Sequence, residues 1–340
     1  MTTTELPAAT VTALSVRDLS VRLPRRDVDV ELVRSVSFDV QPGECLGLVG
    51  ESGAGKSLTC YAALGLVQRS GLDVEGQVLV GSDDISRLGQ RELSRIRGRR
   101  ISMVFQEPSV CLDPAFRIGS QIAEVVQVHT GASRREAWRR AVESLRLAGV
   151  PNPDRRAREY PHTLSGGLKQ RAMIAMAIAC EPEVLIADEA TTALDVTIQA
   201  QILDLLRDLQ SRLGMALVVV THDFGVVADI CDRVAVMYGG QIVEQGTVDE
   251  VLYRPRHPYT QGLLESVPRV GDSDAPLLGI PGSVPPPDQL IPGCRFAPRC
   301  SFARDECRTG DLDLVFDGDG HGVRCVRAGE IHLSGVRRSN

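Results

Sequence analysis

Long apolar runs are missing from this 340-residue sequence, and so is a basic leader followed by an apolar segment. No stretch approaches the roughly 18 uninterrupted apolar residues of a membrane-spanning helix, so we expect none. Residues 1–12 have no basic residue before an apolar run, which argues against a signal peptide. We therefore expect a cytoplasmic protein, whose nine cysteines would be thiols or metal ligands and not disulfides.

The composition excludes several classes of protein. Hydrophobic residues make up 43% of the chain and charged residues 24%, which is typical of a globular protein with one large domain or two modest ones. This excludes a disordered tail, a collagen-like fibre and a small disulfide scaffold. The net charge of −6 argues against nucleic-acid binding over the whole surface. We expect the basic runs 91–100 and 134–140 to be solvated helix faces.

Lysine is nearly absent, because Lys56 and Lys169 are the only lysines among 38 basic residues. A chain that uses arginine almost everywhere else yet keeps Lys56 indicates that arginine does not work there. Lys56 lies in a G-x-x-x-x-G-K-S segment that follows a short apolar run, Cys45–Gly50. The run favours a buried parallel strand, and the segment matches the P-loop of nucleotide-binding proteins.

The P-loop predicts a site for a nucleoside triphosphate. Its glycines let backbone N–H groups point at phosphate oxygens, and a helix expected over Lys56–Leu66 adds the positive end of its dipole. Lys56 would reach the β- and γ-phosphates, and Ser57 would ligate Mg²⁺. The residues expected to bind the nucleotide are Gly50, Glu51, Ser52, Gly53, Ala54, Gly55, Lys56 and Ser57.

Polar residues follow two further apolar runs, Val184–Asp188 and Ala216–Thr221. Because parallel strands end at one edge of a sheet, we expect these residues to lie near the P-loop. Asp188 would hold Mg²⁺, Glu189 would act as the general base for an attacking water, and His222 would reach the γ-phosphate.

At Leu164–Arg171 the chain reads LSGGLKQR, and here it resembles the ATP-binding subunits of ABC transporters over nearly its whole length. The resemblance assigns the family's signature motif to Ser165, Gly166 and Gly167. Ser165 would cap a helix running to about Ala179, whose N-terminus would bind phosphate held by a second subunit. It also implies that Gln106 contacts Mg²⁺ and the membrane partner, and that Ala193-Leu194-Asp195 is the D-loop.

The resemblance implies an α/β fold with a P-loop NTPase (RecA-like) core sheet. It adds an N-terminal antiparallel β subdomain over about 12–41, an inserted helical subdomain and a small Cys-rich C-terminal extension. The expected domains are an ATPase domain at 1–254, with the helical subdomain at about 107–164, and the extension at 255–340. A helix is expected over Thr197–Leu213, with its apolar face on the sheet.

The sequence departs from the family pattern beside the adenine. Members often stack adenine on an aromatic residue near the first strand, whereas this chain offers only Val21 or Leu23 there. We therefore expect an aliphatic, weaker contact with the base.

The chain has one P-loop and one signature motif, and the family mechanism needs two such domains arranged head to tail. The resemblance therefore implies a second ABC ATPase subunit, either a copy of this chain or a related one. It also implies two transmembrane permease subunits, an extracytoplasmic peptide-binding protein and no nucleic acid. The expected location is peripheral, on the cytoplasmic face of the bacterial cell membrane.

Prolines become frequent after Arg254, which is typical of an extended surface connector. Two segments here, Arg256–Pro268 and Pro292–Cys300, resemble the C-terminal extension of oligopeptide and dipeptide transporter ATPases. This resemblance implies that the chain energises peptide import. Import of another small solute such as nickel remains an alternative, as does a non-transport ABC ATPase that works on DNA or ribosomes, or an iron–sulfur regulatory protein.

Four cysteines of the extension have the spacing C-x5-C-x6-C-x17-C. Four thiolates suit a [4Fe–4S] cluster or Zn²⁺, although the C-x2-C pair of most structural zinc sites is missing. Unliganded thiols are the third possibility. In the family such cysteines are taken as iron–sulfur ligands, which would assign that role to Cys294, Cys300, Cys307 and Cys325. We expect the other five cysteines to be small core residues.

Overall fold

The computed structural model describes residues 12–26, 28–190, 195–266 and 279–336. Its strands are β1 (Leu14–Leu23), β2 (Val30–Val40), β3 (Cys45–Val49), β4 (Asp73–Val80), β5 (Asp83–Asp84), β6 (Ile101–Val104), β7 (Val184–Asp188), β8 (Ala216–Thr221), β9 (Arg233–Tyr238), β10 (Gln241–Thr247), β11 (Val315–Phe316) and β12 (Gly322–Val323). Its α-helices are α1 (Lys56–Ala63), α2 (Gln90–Ile96), α3 (Pro108–Cys111), α4 (Ile118–Thr130), α5 (Arg134–Leu147), α6 (Pro153–Arg156), α7 (Gly166–Ile178), α8 (Val196–Leu213), α9 (Phe224–Ile230), α10 (Val248–Tyr253) and α11 (Pro258–Glu265).

The core is a sheet with the strand order β11-β12-β10-β9-β3-β8-β7-β6. The five strands from β9 to β6 run parallel, and every residue of β3, β7 and β8 is buried. Continuous apolar runs form such strands because both faces of a parallel sheet are covered. Val49 pairs with Thr221, and Asp188 with Val220, so the carboxyl ends of these strands meet at one edge.

The predicted antiparallel layer is present as a second sheet with the order β2-β1-β4-β5. Our prediction covered β1 and β2 but missed β4. The first four residues of β4 are exposed, so the strand lacks the alternation of a half-buried strand. Gly76 in β4 has a φ of +108°, and a Cβ there would lie 2.8 Å from the Cα of Leu19. The glycine therefore allows the two strands to approach closely at an irregular register.

The segment expected to be helical contains α3 to α6, and its core is continuous with α7 and α8. Ser133 begins α5 by accepting a hydrogen bond from Glu136 N. Asp195 begins α8 in the same way, with Ile198 N as the donor at 2.9 Å. The predicted helix at Lys56 ends at Ala63, three residues earlier than expected.

The expectation that all five scattered cysteines are core residues was wrong in part. Cys45 and Cys60 are buried, whereas Cys111, Cys180 and Cys231 are only half-buried. The basic run 134–140 lies on the surface of α5, as expected. There Arg139 and Arg140 both donate hydrogen bonds to the exposed carboxylate of Glu136.

The C-terminal extension joins the core sheet and does not stand apart from it. Strand β12 pairs with β10, and β11 pairs with β12, both antiparallel. Helices α10 and α11 and Phe296 share one buried cluster with β9. Within the described ranges, no helix has the length and apolar character needed to cross a membrane.

Candidate nucleotide site and cysteine cavity

The P-loop connects β3 to α1 and depends on its glycines. Gly53 and Gly55 have φ values of +81° and +98°, which favour glycine strongly. A Cβ at Gly50 would overlap the carbonyl oxygen of Met237 in β9. A Cβ at Gly53 would meet nothing within 4 Å, so its backbone conformation, and not crowding, favours glycine there.

Lys56 is the first residue of α1, and its side chain is buried. Its Nζ donates hydrogen bonds to the carbonyl oxygens of Gly50 at 2.8 Å and Glu51 at 3.0 Å. Burial lowers the pKa of Lys56, and the carboxylates of Glu189 and Asp188 act in the opposite direction. The ammonium therefore lies between the loop and the acidic ends of the sheet.

Asp188 is fully buried at the end of β7. Its Oδ1 accepts a hydrogen bond from the Ser57 hydroxyl at 2.9 Å, so two of the three predicted Mg²⁺ ligands are in contact. Its Oδ2 is buried and has no hydrogen-bond partner among the described residues. Burial raises the pKa of Asp188, whereas the hydroxyls of Ser57 and Tyr61 lower it. An unpartnered buried carboxylate oxygen beside a hydroxyl fits the oxygen ligands that Mg²⁺ prefers.

Glu189 follows Asp188 with a φ of +45°, an uncommon conformation for a residue other than glycine. Its backbone N–H donates to Val220 O at 3.0 Å, which ties this turn to β8. The Gln106 amide donates to Glu189 Oε2 at 2.8 Å, and His222 Nδ1 lies 3.7 Å from Oε1. Side chains that follow three strands, β6, β7 and β8, are therefore brought together; the proximity of Glu189 and His222 was expected from the parallel strand ends, whereas the contact of Gln106 with Glu189 was not predicted.

The signature residues lie at the start of α7. Ser165 and Gly166 are exposed, and a Cβ at Gly166 would meet nothing within 4 Å. Ser165 occupies the N-cap position of a helix that ends at Ile178, close to the expected bounds, although its side chain makes no capping hydrogen bond. No hydrogen bond among the described residues joins this motif to the P-loop. Of the expected D-loop, Ala193 and Leu194 lie outside the described residues, and Asp195 caps α8.

Of the two residues expected to contact the adenine, only Leu23 is accessible to a ligand. Val21 is buried inside the antiparallel sheet and is not available to a ligand, whereas Leu23 is half-buried. The Val21 side chain belongs to the buried hydrophobic cluster beneath this sheet, which explains its burial.

All four cysteines of the extension line one small apolar cavity of about 20 Å³. Burial raises the pKa of Cys294 to about 12 and also raises the pKa values of Cys300 and Cys325. Among the described residues, no three His, Cys, Asp or Glu side chains are placed to hold a single metal ion. The described residues therefore support neither the zinc alternative nor the predicted [4Fe–4S] cluster, beyond placing the four cysteines around one cavity.

The fold and the strand-end site define a P-loop nucleotide-binding protein. The ABC transporter family model matches residues 33–192, and the model of the oligopeptide/dipeptide transporter C-terminal region matches residues 243–307. The oligopeptide transport ATP-binding protein AppD of Bacillus subtilis is 46% identical over 92% of this chain and 96% of its own length. The oligopeptide transport ATP-binding protein OppD of Haemophilus influenzae is 44% identical over 89% of this chain and 94% of its own.

Among solved structures, an ATP-binding cassette in a dimeric post-hydrolysis state with ADP and Pi matches with a TM-score of 0.60 at 29% identity. The match covers 69% of this chain and 98% of that one. The chain belongs to the ATP-binding proteins of the ABC transporter family and carries the oligopeptide/dipeptide-type C-terminal region.

Proposed function

We propose that this chain hydrolyses ATP to energise the import of dipeptides or oligopeptides. Two observations support this function. The strand-end site has the side chains that phosphoryl transfer to water requires, and relatives that match nearly the whole chain carry names of oligopeptide transport ATP-binding proteins. The C-terminal region, which matches the oligopeptide/dipeptide type, favours a peptide over another small solute.

Each side chain of the site has a role in this reaction. Lys56 binds the β- and γ-phosphates, and the backbone of the loop that begins at Gly50 surrounds them. Ser57, Asp188 and Gln106 would hold Mg²⁺, which neutralises charge on the phosphate oxygens when bound. Glu189 accepts the proton of the water that attacks the γ-phosphorus, while the bond from that phosphorus to ADP breaks.

The observation that carries the proposal is the placement of Glu189. The Gln106 amide donates a hydrogen bond to one of its carboxylate oxygens, and His222 Nδ1 lies 3.7 Å from the other. The side chain of His222 is 59% exposed. Gln106 thus orients the base through one carboxylate oxygen, while His222 is placed beside the other and remains accessible to the γ-phosphate.

The signature motif serves a second subunit. Ser165 and Gly166 are exposed at the N-terminus of α7, a helix of 13 residues. The N-terminus of such a helix attracts anions. We propose that Ser165, Gly166 and Gly167 close over ATP bound to the P-loop of a partner ATPase, either a copy or a related chain. ATP binds the closed pair better than the open pair, and hydrolysis reopens it.

The remaining partners follow from the proposed transport. Two permease subunits would cross the membrane, and the segment 107–164 would dock on them from the cytoplasmic face. Four large hydrophobic side chains are exposed on this segment: Val110, Phe116, Val128 and Tyr160. An extracytoplasmic binding protein would deliver the peptide, and no role for nucleic acid is proposed.

We also propose a structural [4Fe–4S] cluster on Cys294, Cys300, Cys307 and Cys325. The convergence of all four thiols on one cavity supports it. Each thiolate of such a cluster binds a different iron, so the four sulfurs need not meet around a single ion. The test is iron and sulfide analysis of anaerobically purified wild type and Cys300→Ser. About four irons and four sulfides per chain, lost in the variant, would support the cluster, whereas neither element in folded protein would refute it.

Replacing Glu189 with Gln tests the reaction. We expect ATP binding to persist and hydrolysis by the assembled transporter to fall by about 10²-fold or more, because the general base is lost. Glu181→Gln is a matched control, since Glu181 also has a positive φ and lies at the other end of β7, where it is exposed. Full hydrolysis by Glu189→Gln would refute the assignment of the base.

Peptide uptake tests the transport assignment. Cells that lack this chain should not accumulate a labelled dipeptide or pentapeptide, and uptake should return with the wild-type chain but not with Glu189→Gln. If cells without the chain take up both peptides normally but no longer take up another solute, that solute and not a peptide is the substrate.

A further inference from the structure

The P-loop is held by the C-terminal extension as well as by the core sheet. Glu51, the second residue of the loop, contacts Tyr259 and Arg299, which lie 208 and 248 positions further along the chain. Glu51 N donates to the Tyr259 hydroxyl at 2.8 Å. Arg299 donates from Nη1 and Nη2 to the two carboxylate oxygens of Glu51, at 2.7 and 3.0 Å. This two-bond pairing fixes both the position and the orientation of the carboxylate.

Arg299 is itself rigidly placed, because its side chain is only 6% exposed. The guanidinium lies over the rings of Tyr238 and Phe296, with centroid distances of 5.7 and 6.0 Å. It also donates to the carbonyl oxygens of Pro281 at 2.8 Å and Gly282 at 3.2 Å. Burial acts to lower the pKa of Arg299, but its hydrogen bonds to Glu51 hold the pKa above the ordinary value.

Tyr259 is fully buried in α11, and its ring packs edge-on against Tyr238 at 4.7 Å. The phenol therefore has little freedom to leave Glu51. A second buried arginine of the extension, Arg295, bonds the carbonyl oxygen of Gly239. The next residue, Gly240, donates from its N–H to Ala54 O in the P-loop at 2.9 Å. The extension thus supports the loop at two places.

We propose that Tyr259 and Arg299 are positioning residues for ATP, which set the P-loop through Glu51 before the nucleotide arrives. Lys56 bonds the carbonyl oxygens of Gly50 and Glu51, and it gives up these bonds when it turns to a phosphate. The contacts of the extension do not involve Lys56 and persist. A loop that is already ordered binds with a smaller entropic cost, so the contacts increase ATP affinity.

This inference rests on the proposed function, because it assumes that the loop binds ATP. The experiment is a calorimetric titration of Mg-ATP into the full chain. It compares the wild type with Arg299→Gln, Glu51→Gln and the double variant. We expect each single variant to bind about tenfold more weakly and the double variant to be no weaker than either. Tyr259→Phe, which keeps the ring and loses the hydroxyl, should weaken binding by about threefold.

Arg256→Gln is the matched control, since Arg256 pairs with Asp317 inside the extension and does not contact the loop. It should bind ATP as the wild type does, and thermal unfolding without nucleotide should show every variant folded. Wild-type affinity in folded Arg299→Gln, or fully additive losses in the double variant, would overturn the inference. Absence of ATP binding by the folded wild type would instead refute the proposed function.

Discussion

The nucleotide site and the C-terminal extension are built by different means. In the nucleotide site, short local motifs follow buried parallel strands, and the ends of the strands bring Lys56, Asp188 and His222 to one edge. The extension has few long elements, and buried polar side chains hold it to the core across great distances in sequence. The comparison teaches that motifs identify the chemistry of this chain, whereas buried polar contacts determine where its extension lies.

Glu244 in β10 is the centre of those contacts. It is fully buried, and its carboxylate accepts hydrogen bonds from the backbone N–H groups of Arg256 at 2.6 Å and His257 at 3.0 Å. His321 Nε2 lies 2.8 Å from the same carboxylate. One side chain thus satisfies groups from both ends of the extension, and its loss would leave them buried without partners.

The largest effect is expected for Glu244→Ala. Two backbone donors lose their acceptor, so the extension should be destabilised by about 3 kcal/mol or more. Hydrogen exchange should accelerate across residues 255–266 and 295–330, whereas β3, β7 and β8 should stay protected. Glu306→Ala, which alters an exposed carboxylate, is the control. Equal acceleration in β3 and in the extension would show that the two regions unfold as one unit.

The next largest effect is expected on ATP affinity, when the lysine of the P-loop is replaced. Lys56→Arg keeps the charge but places a larger planar group in a buried position between two carbonyl oxygens. ATP affinity should fall about a hundredfold, which corresponds to two charge-assisted hydrogen bonds. Lys169→Arg, which replaces the other lysine, should leave ATP affinity unchanged in the same titration. Equal affinity for Lys56→Arg would mean that charge alone suffices.

The smallest expected effect is a loss of folding stability at mildly acidic pH. Burial lowers the pKa of His257 to about 3, and nearby Arg324 acts in the same direction. The unfolded chain therefore binds the proton first, so stability is complete above about pH 6.5 and is lost as the pH falls toward 3. Urea unfolding at pH 5.5 should show a loss on the order of 1 kcal/mol relative to pH 7.5. His257→Gln should reduce this loss, and an identical loss in the variant would assign it to other groups.

The elements that the sequence predicted well are those with a strong local pattern. Val184–Asp188 and Ala216–Thr221 were predicted with their observed bounds, because continuous apolar runs followed by polar residues mark buried parallel strands. The proximity of Glu189 and His222 was expected because both follow parallel strands that end at one edge of the sheet. The predicted helix at Thr197 begins one residue earlier, at Val196.

The features that were missed have no local signal. Strand β4 is half exposed and contains Gly76, so its period of two is interrupted. Glu244 lies within strand β10 between Val243 and Gln245, and a glutamate there does not indicate which donors it will meet. The pair of Glu51 and Arg299 spans 248 positions, which no spacing rule relates. Ser165 has the residue type of a cap, but its hydroxyl makes no capping bond, because sequence preference does not fix the rotamer.

The central claim is that the edge formed by β3, β7 and β8 binds Mg-ATP through Asp188. The most direct test is calorimetric titration of ATP, with and without Mg²⁺, into the wild type and Asp188→Asn. The wild type should bind at least about tenfold more tightly with Mg²⁺, because the unpartnered Oδ2 of a buried carboxylate gains a cation. The folded variant should lose this difference while still binding ATP. An equal Mg²⁺ dependence in both proteins, or no binding by the wild type, would contradict the account.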